Sequence, residues 1–218
     1  MSEYSAFSFN SVKALTEQKI VDKRQTMTEL KSLQNHFLVA MPSFDDPYFS
    51  RSLIYICEHN AEGAMGIVIN RPMDLNFADL CKQLDIEITD TDTINYPIFD
   101  GGPVEIDRGF ILHTPLGEWE STLEVTKDVG LTISQDIIEA IANGYSSDNN
   151  PPKHFIITLG YAGWSEDQIE DEIAANSWLN VPATDDILFH TPVENRWTAA
   201  AASLGIDLQQ LSSDIGHA

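Results

Sequence analysis

Two apolar runs, SLIYICEH (52–59) and AMGIVINRP (64–72), stand on either side of the short link Asn-Ala-Glu-Gly. Runs of this length rich in Ile, Val and Tyr form strands, and a link containing Asn and Gly closes two of them into a β-hairpin. A hairpin commits its strands to antiparallel pairing, because parallel neighbours need a crossover of a dozen or more residues. HFLVAM (36–41) precedes it as a first strand, stopped by Pro42. RGFILHTP (108–115), the two halves of STLEVTKDVGLTIS around Lys127–Asp128, KHFIITLGYAG, SWLNVPA and DILFHTP supply further strands. Helical signals are fewer. DLNFADLCKQLD has Asp74 or Asn76 as cap, and SQDIIEAIANG is capped by Ser134 and ended by Gly144. SEDQIEDEIAAN opens on Ser165, and VENRWTAAAASLG comes last. Strands outnumber helices, and hairpins mix with strand–helix units. The pattern predicts an α+β fold on a mixed, bent sheet flanked by helices, not a doubly wound parallel sheet.

Residues 1–30 read as a separate N-terminal extension, poorly ordered or docking through a helix. SVKALTEQKIVDKR has weak helical spacing, and no turn chemistry ties it to the first strand. Met27 heads MTELKSLQNHFLVAMP, so a natural start there would make 1–26 an addition. Residues 31–218 are expected to form a single domain with a full hydrophobic core. No run approaches the roughly 18–20 apolar residues of a membrane helix, and the first 30 residues lack a signal-peptide pattern. Cys57 and Cys81 follow no metal or redox spacing and read as free thiols of a reducing compartment. The expectation is a soluble cytoplasmic protein without a cofactor or bound metal.

Charge restricts the partners. The chain carries 12 basic and 34 acidic side chains. Five of the basic and four of the acidic ones lie in residues 1–31, so seven basic and 30 acidic residues serve all the rest. Nucleic-acid affinity rests on Lys and Arg neutralising phosphates, and a field of this sign repels DNA at long range. No helix-turn-helix or zinc pattern offsets that. A nucleic-acid regulator is disfavoured.

Two glycine-rich stretches invite a ligand reading. LGYAGWSEDQIEDEI (159–173) carries Gly160 and Gly163 between a strand and a helix, where phosphate sites are often built. Its helix, however, opens with Glu166 and Asp167, and acids repel a phosphate at that end. A tight strand-to-helix turn, with Trp164 packing beside it, is the favoured reading. IFDGGPVEIDRGFILHT (98–114) sets Asp100, Gly101, Gly102 and Arg108 around a strong turn signal, so a small polar site and a structural turn compete there. His-Thr-Pro occurs twice, in GFILHTPLGEW and DILFHTPVENRW. If the two ends converge, His113 and His190 could act as acid and base; otherwise each ends a strand. Two histidines alone do not complete a zinc set. Cys57 and His59, two apart in a strand, should share a face, the thiol buried and inert. Cys81 beside Lys82 reads as packing on a helix flank or as an oxidant-sensing thiol. Ser43, Asp45 and Asp46, with Arg51, Asn70 and Arg71, are polar enough for a surface site, or Arg71 pairs with an acid.

Taken together, HFLVAMPSFDDPYFSRSLIYICEHNAEGAMGIVINRP, DGGPVEIDRGFILH, LGYAGWSEDQIEDEI with NSW, and ILFHTPVENRW resemble the AlgH/YqgE family of bacterial proteins. Four separated motifs in the same order, over about residues 35–205, make the resemblance specific. It implies an α+β fold whose bifurcated sheet curls into a pseudo-barrel. The family takes its name from a proposed transcriptional role in alginate production, and it carries no established catalytic residues over. The expected function is a non-enzymatic cytosolic binding or regulatory protein acting through a protein partner or small ligand. The alternative is an enzyme of small polar metabolites using His113 and His190 or the Gly101–Gly102 turn.

Overall fold

Alternation on both faces organises the sheet. The computed structural model describes residues 32–145 and 150–208. The expected extension at 1–30, with Met27, and the tail after Leu208 lie outside the described residues. Ten strands are described: β1 (His36–Ala40), β2 (Leu53–Asn60), β3 (Gly63–Val68), β4 (Pro72–Asn76), β5 (Pro97–Asp100), β6 (Val104–Thr114), β7 (Thr122–Glu124), β8 (Gly130–Thr132), β9 (His154–Ser165) and β10 (Trp178–Pro182). Four short helices accompany them: α1 (Phe77–Gln83), α2 (Asp136–Asn143), α3 (Gln168–Ala174) and α4 (Arg196–Ala202). The main path runs β10-β1-β2-β3-β9-β6-β8-β7, with β4 and β5 branching from it.

The branch point lies on β9. Its first half pairs in parallel with β5, from Ile98↔Ile157 to Asp100↔Leu159, and antiparallel with β6. Its second half pairs with β3, from Gly66↔Ala162 to Gly63↔Ser165. The sheet therefore forks and curls into a half-barrel, the α+β architecture expected from the sequence.

Three cores result from this curl. Phe37, Tyr55, Phe99, Leu112 and Ile156 pack on the inner face, closed by Ile187, Leu188, Ala200 and Ala201. Their strand neighbours Leu38, Ile54, Ile56 and Val68 face the other way, where Ile169 of α3 and the Trp164–Trp178 pair cover them. Ile98, Ile111 and Ile157 form a third layer beneath Phe77 of α1 and Ile137 and Ile141 of α2. Neighbours in one strand thus enter different cores, as period-2 geometry requires.

Several local expectations change. The strand expected at KHFIITLGYAG forms, but the tight turn expected at its glycines does not: β9 runs unbroken from His154 to Ser165 through both. The helix after it begins at Gln168, with Asp167 in the left-handed region at its N-cap. The Ser165 N–H donates to the Gln168 side chain at 3.0 Å, one half of a capping box. Asn76, not Asp74, caps α1, with Asp79 completing the box. At α2 the cap position is Gln135; Ser134 instead donates to the Asp136 carboxylate at 2.6 Å. DILFH forms a single π-helical turn, Asp186–His190, rather than a strand.

Candidate functional site

The two glycine stretches do converge, but on each other. Gly160 adopts φ +75° and Gly102 φ +152°, regions that side-chain-bearing residues avoid. A Cβ on Gly160 would meet the Gly102 carbonyl oxygen at 2.3 Å, and one on Gly102 would meet Tyr161 backbone at 2.0 Å. Gly101 is hemmed in equally, with the Gly160 oxygen 2.3 Å from its ideal Cβ. The Gly101 N–H donates to Leu159 and its carbonyl accepts from Val68, so β5, β9 and β3 are tied together at the fork. These glycines let three backbones touch, and the space between them is filled by main chain. Gly163 sits apart, exposed on β9 opposite Met65. Arg108 pairs with Glu105 at 2.9 Å on the exposed part of β6.

The histidines separate. His113 is fully buried; its Nε2 lies 2.8 Å from the Thr132 hydroxyl and its Nδ1 3.1 Å from the Pro115 carbonyl. Burial draws its pKa downward. His190 is exposed and meets the His154 ring edge-on at 4.6 Å. His154 lies on the side of β9 that Ile156 gives to the inner core, whereas His113 lies with Ile111 on the outer side. The two rings are on opposite faces of the sheet. Cys57 and His59 also part company. A β-bulge between Ile56 and Glu58 breaks the alternation. Cys57 then enters the inner core, where burial raises its pKa, and His59 turns to Glu170 of α3 at 2.8 Å. The buried Cys81 thiol is pushed up to about 11 by the same cause. No group of three or more His, Cys, Asp and Glu is placed to hold a metal among the described residues.

A different place gathers open polar groups. A cleft of about 600 Å³ is walled by Ser50, Arg51, Asn70, Arg71, Glu194 and Trp197. Arg51 occupies the left-handed region at φ +56°, which costs a side-chain-bearing residue about 1 kcal/mol. Asn70 holds it there: its Nδ2 donates to the Arg51 carbonyl at 2.9 Å, and its Oδ1 accepts from the Leu53 N–H at 2.8 Å. The Arg51 guanidinium stands 5.9 Å from the Trp197 ring centroid. Trp197 is itself fixed by an indole N–H donated to the Ala40 carbonyl at 3.0 Å. Arg71 is occupied: it stacks on Tyr48 at 4.7 Å, donates to the Tyr48 carbonyl and lies 3.7 Å from Asp100. The Tyr48 hydroxyl donates to the same Asp100, and burial together with that carboxylate raises its pKa. Asp100 is thus the one residue of the Asp-Gly-Gly-Pro turn whose side chain reaches this neighbourhood.

A family model described as AlgH-like matches residues 37–209. The chain belongs to this AlgH-like family. It is 52% identical over 186 residues to a UPF0301 protein of Nitrosospira multiformis, covering 85% of this chain and 97% of that relative. It is 49% identical over 187 residues to a UPF0301 protein of Dechloromonas aromatica, covering 86% and 98%. The solution structure of the AlgH protein from Pseudomonas aeruginosa superposes with a TM-score of 0.70 at 43% identity, covering 87% of this chain and 98% of that one. A crystal structure from Corynebacterium diphtheriae, 16% identical with a TM-score of 0.62, shares the fold.

Arg196 is the residue of this AlgH-like chain that sequence reasoning missed. It is buried, donates to the Ile69 carbonyl at 2.6 Å and the Thr191 carbonyl at 3.1 Å, and lies 5.8 Å from the Phe99 ring. No carboxylate lies within 4 Å of either Arg196 or Arg51 among the described residues. Three of the seven basic residues after position 31 thus lie in or beside one cleft. Scarcity was the available signal: where cations are this few, two in Arg51 and Arg71 and a third beside a tryptophan are worth tracing together.

Proposed function

We propose that this AlgH-like chain works by binding rather than by turnover, as a cytosolic regulatory protein whose ligand seat is the cleft between Arg51 and Trp197. One observation carries the reading. Arg51 is held by Asn70 in a conformation it does not prefer, faces an open cleft and has no acid among the described residues to satisfy it. Strain of this kind persists where the surroundings enforce it, often at binding sites. The groups that could have served an acid–base or nucleophilic reaction lie elsewhere: His113 and Cys57 are enclosed in core, and the glycines of the fork are packed against main chain. No helix among the described residues is long and apolar enough to cross a membrane. The acidic excess of the chain argues against a polyphosphate partner. Incubating the chain with a metabolite mixture, followed by mass spectrometry before and after desalting, tests the proposal. A compound retained by the protein and recovered unchanged supports it. A compound consumed over many turnovers, with a product rising in step, overturns it.

A further inference from the structure

Building on the binding reading, we infer that the cleft takes a small oxyanion, the phosphate or carboxylate group of a metabolite, against the guanidinium of Arg51. A guanidinium presents its donors in a fixed planar fork that matches two oxygens of one such group. Among the described residues the fork is unclaimed by any acid, since no carboxylate lies within 4 Å of Arg51. The neighbouring arginine cannot substitute, because Asp100 and the Tyr48 carbonyl already occupy Arg71. Ser50 lines the same cleft, one residue before Arg51, and adds a hydroxyl donor. Behind this wall, Arg196 anchors the carbonyl of Ile69, the residue immediately before Asn70 and Arg71. Among the described residues its charge is met only by carbonyls and an aromatic face, an arrangement that leaves positive potential uncompensated. An anion in the cleft is the missing counter-charge.

The surroundings also set the size and character of the ligand. Acids dominate the rest of the surface, and exposed charges are felt over roughly 8–10 Å at ordinary ionic strength. A long polyanion would leave this small cationic island and run onto acidic ground, whereas a single phosphate or carboxylate stays on it. Glu194 lines the cleft as well. It rejects a second negative group and accepts from hydroxyl or amino donors, so the ligand carries its anion at one end and such donors at the other.

Titrating the isotope-labelled full chain with inorganic phosphate, acetate, glycerol 3-phosphate and glycerol, and following the Arg51, Asn70 and Thr198 signals by NMR, decides the matter. The expected result is saturable shifts at about millimolar phosphate, tighter binding of glycerol 3-phosphate, and no response to glycerol alone. Acetate responding as strongly as phosphate would identify a carboxylate seat and support the same inference. Arg51→Ala should weaken the response at least tenfold, and Arg51→Lys should weaken it less. If a variant loses its fold, the location of the wild-type shifts still decides. Shifts that do not saturate, that lie outside the cleft, or that survive Arg51→Ala in a folded protein overturn the inference. Saturable binding of glycerol but not of the anions overturns the ligand class and leaves the binding reading standing. Turnover of glycerol 3-phosphate at an intact anion seat does the reverse.

Discussion

The glycine crossing at the fork and the arginine cleft adjoin through one stretch, since the Val68 N–H donates to the Gly101 carbonyl and Asn70 and Arg71 follow shortly after, yet they are built on opposite principles. At the crossing, Gly101, Gly102 and Gly160 bring backbones so close that a single methyl group would overlap main-chain atoms. At the cleft, side chains with strong donors stand around about 600 Å³ of open space. The first region has conspicuous residues and no room; the second has ordinary residues and room. Glycine-rich motifs therefore need a volume test before they are read as ligand cradles. Here the volume lies next door.

This contrast predicts an order of mutational effects on stability. Gly102→Ala and Gly160→Ala should be the most damaging, because a positive φ and a backbone overlap must be relieved together. A loss of about 3 kcal/mol or more in urea unfolding is expected for each. A loss under about 1 kcal/mol would mean that the crossing is looser than its geometry indicates. Asn70→Ala comes next. It strands the buried Leu53 N–H and releases Arg51, for an expected loss of about 2 kcal/mol, with the Arg51 backbone signals shifting in NMR spectra.

Tyr48→Phe gives a smaller, pH-dependent effect. Burial and Asp100 raise the Tyr48 pKa above the ordinary tyrosine value near 10. The unfolded chain therefore releases that proton first. The stabilisation is fully present below about pH 10 and fades as pH rises beyond it. Wild-type stability should fall more steeply than that of Tyr48→Phe between about pH 10 and 12, and parallel curves would remove Tyr48 from the account. Smallest of all is Arg51→Ala, expected within about 0.5 kcal/mol of wild type by thermal unfolding, since the side chain is exposed and meets no acid among the described residues. A large loss there would recast Arg51 as scaffold and collapse the distinction between the two regions.

Legibility in the sequence tracks the range of the forces involved. The β2–β3 hairpin could be read because its strands, loop and alternation are contiguous. The Asn76 cap is local in the same way. Gly160 was misread because a glycine in an extended run signals a turn or a fork equally well. Only the partners β3, β5 and β6, which come from distant parts of the chain, decide between them. DILFH shows the ambiguity of a short apolar run, whose length suits a strand or one helical turn. The bulge at Cys57 reversed the expected sharing of a face because one extra residue shifts parity without any mark in the sequence. At the candidate site, Arg51, Asn70 and Arg71 were visible as a polar group. Their alignment with Trp197 and Arg196 is a product of tertiary packing.

Strand β9 serves as a rib for both arms of the fork, and this governs how the molecule comes apart. The two arms are built on one continuous strand, β5 and β6 along its first half and β3 along its second, so neither can peel away without loosening the strand that carries the other. Heat or denaturant should therefore dissolve both arms in one cooperative step. The amides of 156–159 and 162–164 should then exchange with deuterium at a common slow rate, set by opening of the whole domain.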